Sequence, residues 1–265
     1  EAQWASGELT LMPENGNDFN FTATFVHEMG HALGITNSLN QRPDGEWIFC
    51  ADSGLAFVKG LRDIDGTAPQ AEMPIKIVQS AENASPDSFD LLNAAGAESG
   101  AYFTGEHVQE VLDGALIATP YSQGERLLVP GIPINGLEYT GEVIDGVSIL
   151  APELAHIELQ NSLMSHQTWR NWITFMEAEM ALLQDIGFTI DRRDWFGYSV
   201  YHSGVTLVNT HPFYARNEAG TDYVAGLANT NPWGIGLHVY GSNNDITQAA
   251  DILTAGRYAI SIRVE

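Results

Sequence analysis

Residues 27–37 read His27-Glu28-Met29-Gly30-His31-Ala32-Leu33-Gly34-Ile35-Thr36-Asn37, and no other stretch of the chain constrains the fold as tightly. Each residue of an α-helix turns the chain by about 100°, so His27 and His31 stack one turn apart on one face and both imidazoles reach a single metal ion. Glu28 projects about 100° round from His27, near enough to act on a water at the metal without ligating it. A helix over residues 21–33 is expected, entered through the turn formers of residues 13–20 and ended by Gly34, where a positive φ lets the chain swing away from the metal. Phe25, Val26, Met29, Ala32 and Leu33 carry no charge, which predicts a helix packed in a core. This pattern points to metal-assisted hydrolysis of peptide bonds, with Zn2+ as the metal and Glu28 as general base.

Two histidines are not enough, because a catalytic zinc takes three protein ligands and keeps its fourth position open. In the pattern H-E-x-x-H-x-x-G-x-x-H of metzincin peptidases the third His stands six residues after the second, and here that position is Asn37, a poor zinc ligand. A Glu on a later helix, with an Asp four residues further on, is the thermolysin-like alternative. Glu177 and Glu179 lie on a suitable stretch, but the residues four further on are Ala181 and Leu183. His156 is favoured as third ligand. It precedes by eight residues the Met164 of Ser162-Leu163-Met164-Ser165, and a methionine in a tight turn beneath the metal is the other hallmark of metzincins. His166 competes for the same role.

At this point the chain resembles the leishmanolysin family of metallopeptidases. The resemblance rests on His27 to Gly34, an intervening stretch of residues 35–155, then His156, Leu163-Met164 and a helix ending Leu183-Gln184-Asp185-Ile186-Gly187-Phe188. Tyr102-Phe103-Thr104-Gly105 and the later Val129-Pro130 are similar to that family's insertion. The resemblance implies a zinc endopeptidase holding its metal through His27, His31 and His156, with Met164 as the floor under them. The chain departs from the family in having a single cysteine, Cys50, and in lacking the twisted sheet that precedes the active-site helix in such peptidases. Residues 7–12 are the strand candidate there, so a missing N-terminal part of the same precursor is an expected partner.

The expected fold class is α+β: a metzincin-like catalytic domain over residues 1–195, with a truncated N-terminal sheet and the insertion 35–155, followed by a β-rich segment 196–265. That segment is glycine-punctuated, with strands expected at residues 205–207, 234–239 and 259–264, and is similar to the opening of a β-helical passenger of bacterial autotransporters. Upstream, Asp63-Ile64-Asp65-Gly66 reads as a surface turn, residues 75–78 as a strand, residues 104–112 as a helix with Thr104 at its N-cap, and residues 172–186 as a helix closed by Gly187. His107 reads as a surface residue, and His202, His211 and His238 as structural or exposed.

A net charge of -23 excludes nucleic acid as a partner, since a polyanion is repelled by so acidic a chain. The acidity suits an extracellular or bacterial cell-surface setting with protein or peptide substrates and leaves room for Ca2+ sites; an outer-membrane anchor is not expected within these residues. The competing expectation is a surface adhesin or binding module in which the zinc site is degenerate or structural.

Overall fold

The computed structural model describes residues 4–5, 19–51, 54–93, 99–119, 126–165 and 174–265. Over these residues the fold is mixed, mostly small sheets with few helices and no closed barrel. The chain divides into two units, one of Glu1–Val108 with Ile117–Gly187 and one of Gln109–Leu116 with Phe188–Glu265.

In the first unit two short parallel strands, β1 (Trp4–Ala5) and β2 (Phe19–Asn20), lead into helix α1 (Phe21–Ala32). The strand expected at residues 7–12 lies outside the described residues. Helix α1 matches the predicted span to within one residue, but it is not enclosed. Ala23, His27 and Gly30 face inward, whereas Phe21, Phe25, Met29 and Leu33, at successive four-residue steps, are exposed. The uncharged flanks therefore mark two apolar faces, of which one is buried.

After α1 come β3 (Leu39–Gln41), β4 (Trp47–Phe49), helix α2 (Ala56–Gly60), β5 (Leu61–Arg62), β6 (Pro74–Val78) and β7 (Phe89–Leu92). Strands β3, β4, β6 and β7 form a four-stranded sheet in that order, antiparallel except for the β6–β7 pair. Next follow β8 (Tyr102–Phe103), helix α3 (Glu106–Leu112), β9 (Ile117–Ala118), β10 (Leu128–Val129), β11 (Ile132–Pro133), the hairpin β12 (Leu137–Ile144) and β13 (Val147–Pro152), and helix α4 (Glu177–Asp185). Strands β11, β8 and β5 make an antiparallel sheet. Aromatic rings fill the core: Phe57 stacks on Phe103 at 5.3 Å, and Phe49 meets Phe89 edge-on at 5.1 Å. Gly60 is required there, since a Cβ would fall 2.2 Å from the Phe103 ring.

Three sequence expectations are corrected in this unit. Helix α3 begins at Glu106, which puts its N-cap position at Gly105, one residue beyond Thr104. Asp185, at the end of α4, accepts hydrogen bonds from the backbone N–H groups of His107 and Val108, both at 2.9 Å, so the cap arrives from a distant element. The helix expected over residues 172–186 begins at Glu177, while residues 172–173 lie outside the described set. The turn at Asp63 is not a surface turn. Asp63 is fully buried, its Oδ1 accepting from the N–H of Asp65 (3.0 Å) and Thr67 (2.7 Å) and its Oδ2 from that of Asp90 (2.9 Å). Burial pushes its carboxyl above the ordinary value, and the three backbone donors pull the other way.

The second unit contains β14 (Phe196–Val200), β15 (Thr206–Asn209), β16 (Ile235–Val239), β17 (Asp245–Gln248) and β18 (Ile260–Val264), all paired in parallel: β14–β16–β18 in one sheet and β15–β17 in another. Phe196 aligns with Ile235, Thr206 with Asp245 and Phe213 with Ile252, each a step of 39 residues. Ile235 aligns with Ile260 and Asn229 with Thr254, a step of 25. The longer turn takes up its surplus between residues 213 and 229, where Arg216 and Tyr223 pair antiparallel. Val200, Leu237 and Val239 form the apolar interior between the two sheets' strands. Gly241 allows the closest approach of stacked turns, since a Cβ would lie 1.7 Å from the His202 carbonyl oxygen.

Replacing Asp63 by Ala removes the acceptor of three backbone N–H groups, that of Asp90 buried, and is expected to cost about 2 kcal/mol. Urea unfolding checks this, and a change near zero would show that the turn stands without its anchor.

Candidate metal centre

Each half of the centre is built by local backbone geometry. Helix α1 ends where Gly34 takes a φ of +108°, and the reversal brings the carbonyl of Ile35 back onto the helix's own last turn. There it accepts a hydrogen bond from Nδ1 of His31 at 2.7 Å. Nδ1 of His27 donates to the carbonyl of Leu163, also at 2.7 Å, in the turn that carries Met164. Nδ1 of His156 donates to Oε1 of Glu153 at 2.6 Å. A carbonyl oxygen only accepts, so the first two contacts place a proton on Nδ1 and leave Nε2 of the neutral ring an acceptor.

Those lone pairs converge. Nε2 of His31 lies 3.1 Å from Nε2 of His27, and one ring nitrogen from each of His27, His31 and His156 falls within 4.8 Å of the others. With Nδ1 protonated in both neutral rings, the facing Nε2 atoms carry lone pairs, and at 3.1 Å both can address one cation. Two nitrogens on a tetrahedral zinc stand roughly 3.3 Å apart, from Zn–N bonds of about 2.0–2.1 Å. The three rings pack against one another, His31 edge-on to both others and His27 stacked on His156, with centroids 4.7–5.2 Å apart. His27 is buried and the other two are half-buried, so the cluster is supported on one side and open on the other. The donor set fits a borderline-soft cation such as Zn2+, for which three neutral imidazoles are an established ligand type.

The structure brings together His27, His31 and His156 as expected from the sequence. Glu28 follows His27 on α1 and is exposed. Asn37 is not among the converging donors; its Nδ2 donates to the carbonyl of Glu153. His166 lies outside the described residues. His107 is half-buried, and His238 is buried beside Glu265 in the second unit. Among the described residues no carboxylate grouping matches the expected Ca2+ site.

Met164 lies beneath α1. A Cβ on Gly30 would meet its Sδ at 2.1 Å, so the glycine inside the motif is the space the methionine occupies. The turn holding Met164 is tied from the far side by Glu179 of α4. Its Oε1 accepts from Ser162 Oγ (3.1 Å) and Met164 N–H (2.9 Å), and its Oε2 from Leu163 N–H (3.3 Å) and Met176 N–H (2.7 Å). Burial nonetheless pushes the Glu179 carboxyl up to about 7. The spacing test applied to the sequence rejected Glu179 as a ligand and gave no hint of this role. Glu153 was missed as well, although an acid three residues before His156 was there to be read.

No known protein family's sequence pattern matches the chain, and no curated protein or solved structure is detectably similar to it.

Gly30→Ala is expected to displace Met164 and lower the thermal midpoint by about 5 °C or more, as overpacking costs of about 1–3 kcal/mol imply; an unchanged midpoint would contradict the packing. Glu179 sets a pH dependence of known sign. Between its unfolded value near 4.5 and about 7 the folded state holds a proton that the unfolded chain has released, so stability falls as pH rises through that window. Urea midpoints of wild type and Glu179→Gln across pH 4–8 check this, and the difference between them must change sign or size within it.

Proposed function

We propose that the chain is a zinc-dependent endopeptidase. The observation that carries this reading is the convergence of one ring nitrogen from each of His27, His31 and His156, each ring fixed through its Nδ1, beside a helix that also carries Glu28. His27, His31 and His156 would hold the ion, and three ligands leave a coordination position for substrate or water. When bound, zinc supplies Lewis acidity that polarises a carbonyl and makes water a stronger acid.

The chain's own residues do the rest. Glu28 takes a proton from the attacking water onto its carboxylate and returns it to the departing amine nitrogen. The Leu163 and Ile35 carbonyls keep the rings in the tautomer that presents Nε2. Met164 packs under α1 and makes no chemical step.

The finer fold reading is a leishmanolysin-like metzincin domain followed by the opening of a β-helix. The His-rich helix, the distant third His and the methionine turn support the first part. The second is supported by parallel strands recurring at steps of 39 and 25 residues. A secreted or bacterial cell-surface setting with protein substrates follows from that reading.

Glu28→Gln tests the assignment. It is expected to retain one zinc per chain while cleavage of unfolded casein falls at least about 100-fold. Full cleavage by that variant would remove Glu28 from the mechanism, and absence of zinc from the wild type would remove the mechanism itself.

A further inference from the structure

His156 differs from the other two ligands in what holds it. His27 and His31 donate to neutral backbone carbonyls, whereas His156 donates to a carboxylate, and that carboxylate belongs to the same turn of chain. Glu153 is buried. Its Oε2 accepts from the backbone N–H groups of Ala155 (3.1 Å) and His156 (3.2 Å), which leaves Oε1 aimed at the imidazole. The turn closes through Leu154, a buried non-glycine residue with a φ of 57°, a left-handed conformation that persists only where its surroundings impose it.

Those surroundings are visible. Glu153 N–H donates to the Gly136 carbonyl at 3.0 Å, Leu154 N–H to the Asn135 carbonyl at 2.8 Å, and Asn135 N–H to the His156 carbonyl at 2.9 Å. From the opposite side Asn37, three residues beyond Gly34, donates its Nδ2 to the Glu153 carbonyl. The tight turn after α1 is thereby fastened to the turn that delivers a ligand from more than a hundred residues downstream.

We propose that Glu153 and Asn37 are positioning residues for the metal. Glu153 fixes the ring orientation and tautomer of His156 and adds a negative charge behind it. Asn37 holds the Glu153 turn against the end of α1. The inference rests on the zinc reading above and deepens it. A carboxylate behind a ligating imidazole makes the ring a stronger donor and opposes the positive charge of the ion, and loss of such a partner typically weakens metal binding about 10–100-fold.

The test is zinc affinity of the full chain by competition with a chromogenic chelator, read beside the absorption spectrum of the cobalt-substituted protein. Glu153→Ala is expected to weaken zinc about 10–100-fold. Glu153→Gln, which keeps an oxygen acceptor and the side-chain shape, should fall between it and wild type, and both should shift the cobalt bands. Asn37→Ala should weaken zinc less, because the Glu153 side chain keeps its own contacts to His156. In a His156→Ala background Glu153→Gln should leave the residual affinity unchanged, which a merely structural role would not predict. Wild-type affinity in both Glu153 variants, or an equal loss with His156 absent, overturns the inference while leaving the zinc reading intact. A wild-type chain that binds no zinc overturns both.

Discussion

The candidate centre depends on three hydrogen bonds made by Nδ1 of its histidines. An imidazole with both nitrogens free presents either to a metal and rotates about its side-chain bonds, so three histidines near one another are not yet a site. Here each Nδ1 is engaged, by Ile35, Leu163 and Glu153, and each Nε2 is left as the donor. The surrounding backbone can be read as what it takes to supply those three acceptors. Gly34 reverses the chain so that Ile35 returns to His31, the methionine turn presents Leu163, and the strained turn at Leu154 presents Glu153.

Supplying them has an entropic cost, because two of the three acceptors and one ligand come from far along the chain. Closing a loop of about 120 residues is opposed by chain entropy that grows only slowly with length, and the sheets within the loop offset it by burying their own aromatic core. Close packing then fixes the relative heights of the parts. Gly30 leaves the hollow that Met164 enters, and Glu179 gathers three backbone N–H groups and a hydroxyl around that methionine's turn. A buried carboxylate with four donors still sits near neutrality in its proton affinity, so the floor of the centre is one place where pH reaches the fold.

What was legible in the sequence was periodic or punctuated. Two histidines four apart, a glycine three residues on, and the two-turn apolar pattern around them specify α1 and its stop almost completely. The distant partners were legible only as far as the search for a third ligand reached: His156 and Met164 came from it, and Asn37 was set aside as a ligand without its tethering role being visible. Glu153, Glu179, Asp63 and Asp185 all act by accepting backbone N–H groups from segments remote in sequence or from irregular turns, and no periodicity records that. The exposed stripe on α1 was misjudged for a related reason: lack of charge says which faces can be buried, not which face is.

Zinc K-edge X-ray absorption of the loaded wild-type protein addresses the convergence itself. The account predicts a shell of nitrogen and oxygen neighbours near 2.0–2.1 Å with outer-shell scattering from three imidazoles. Scattering from only two imidazoles, or a sulfur neighbour near 2.3 Å, would contradict it.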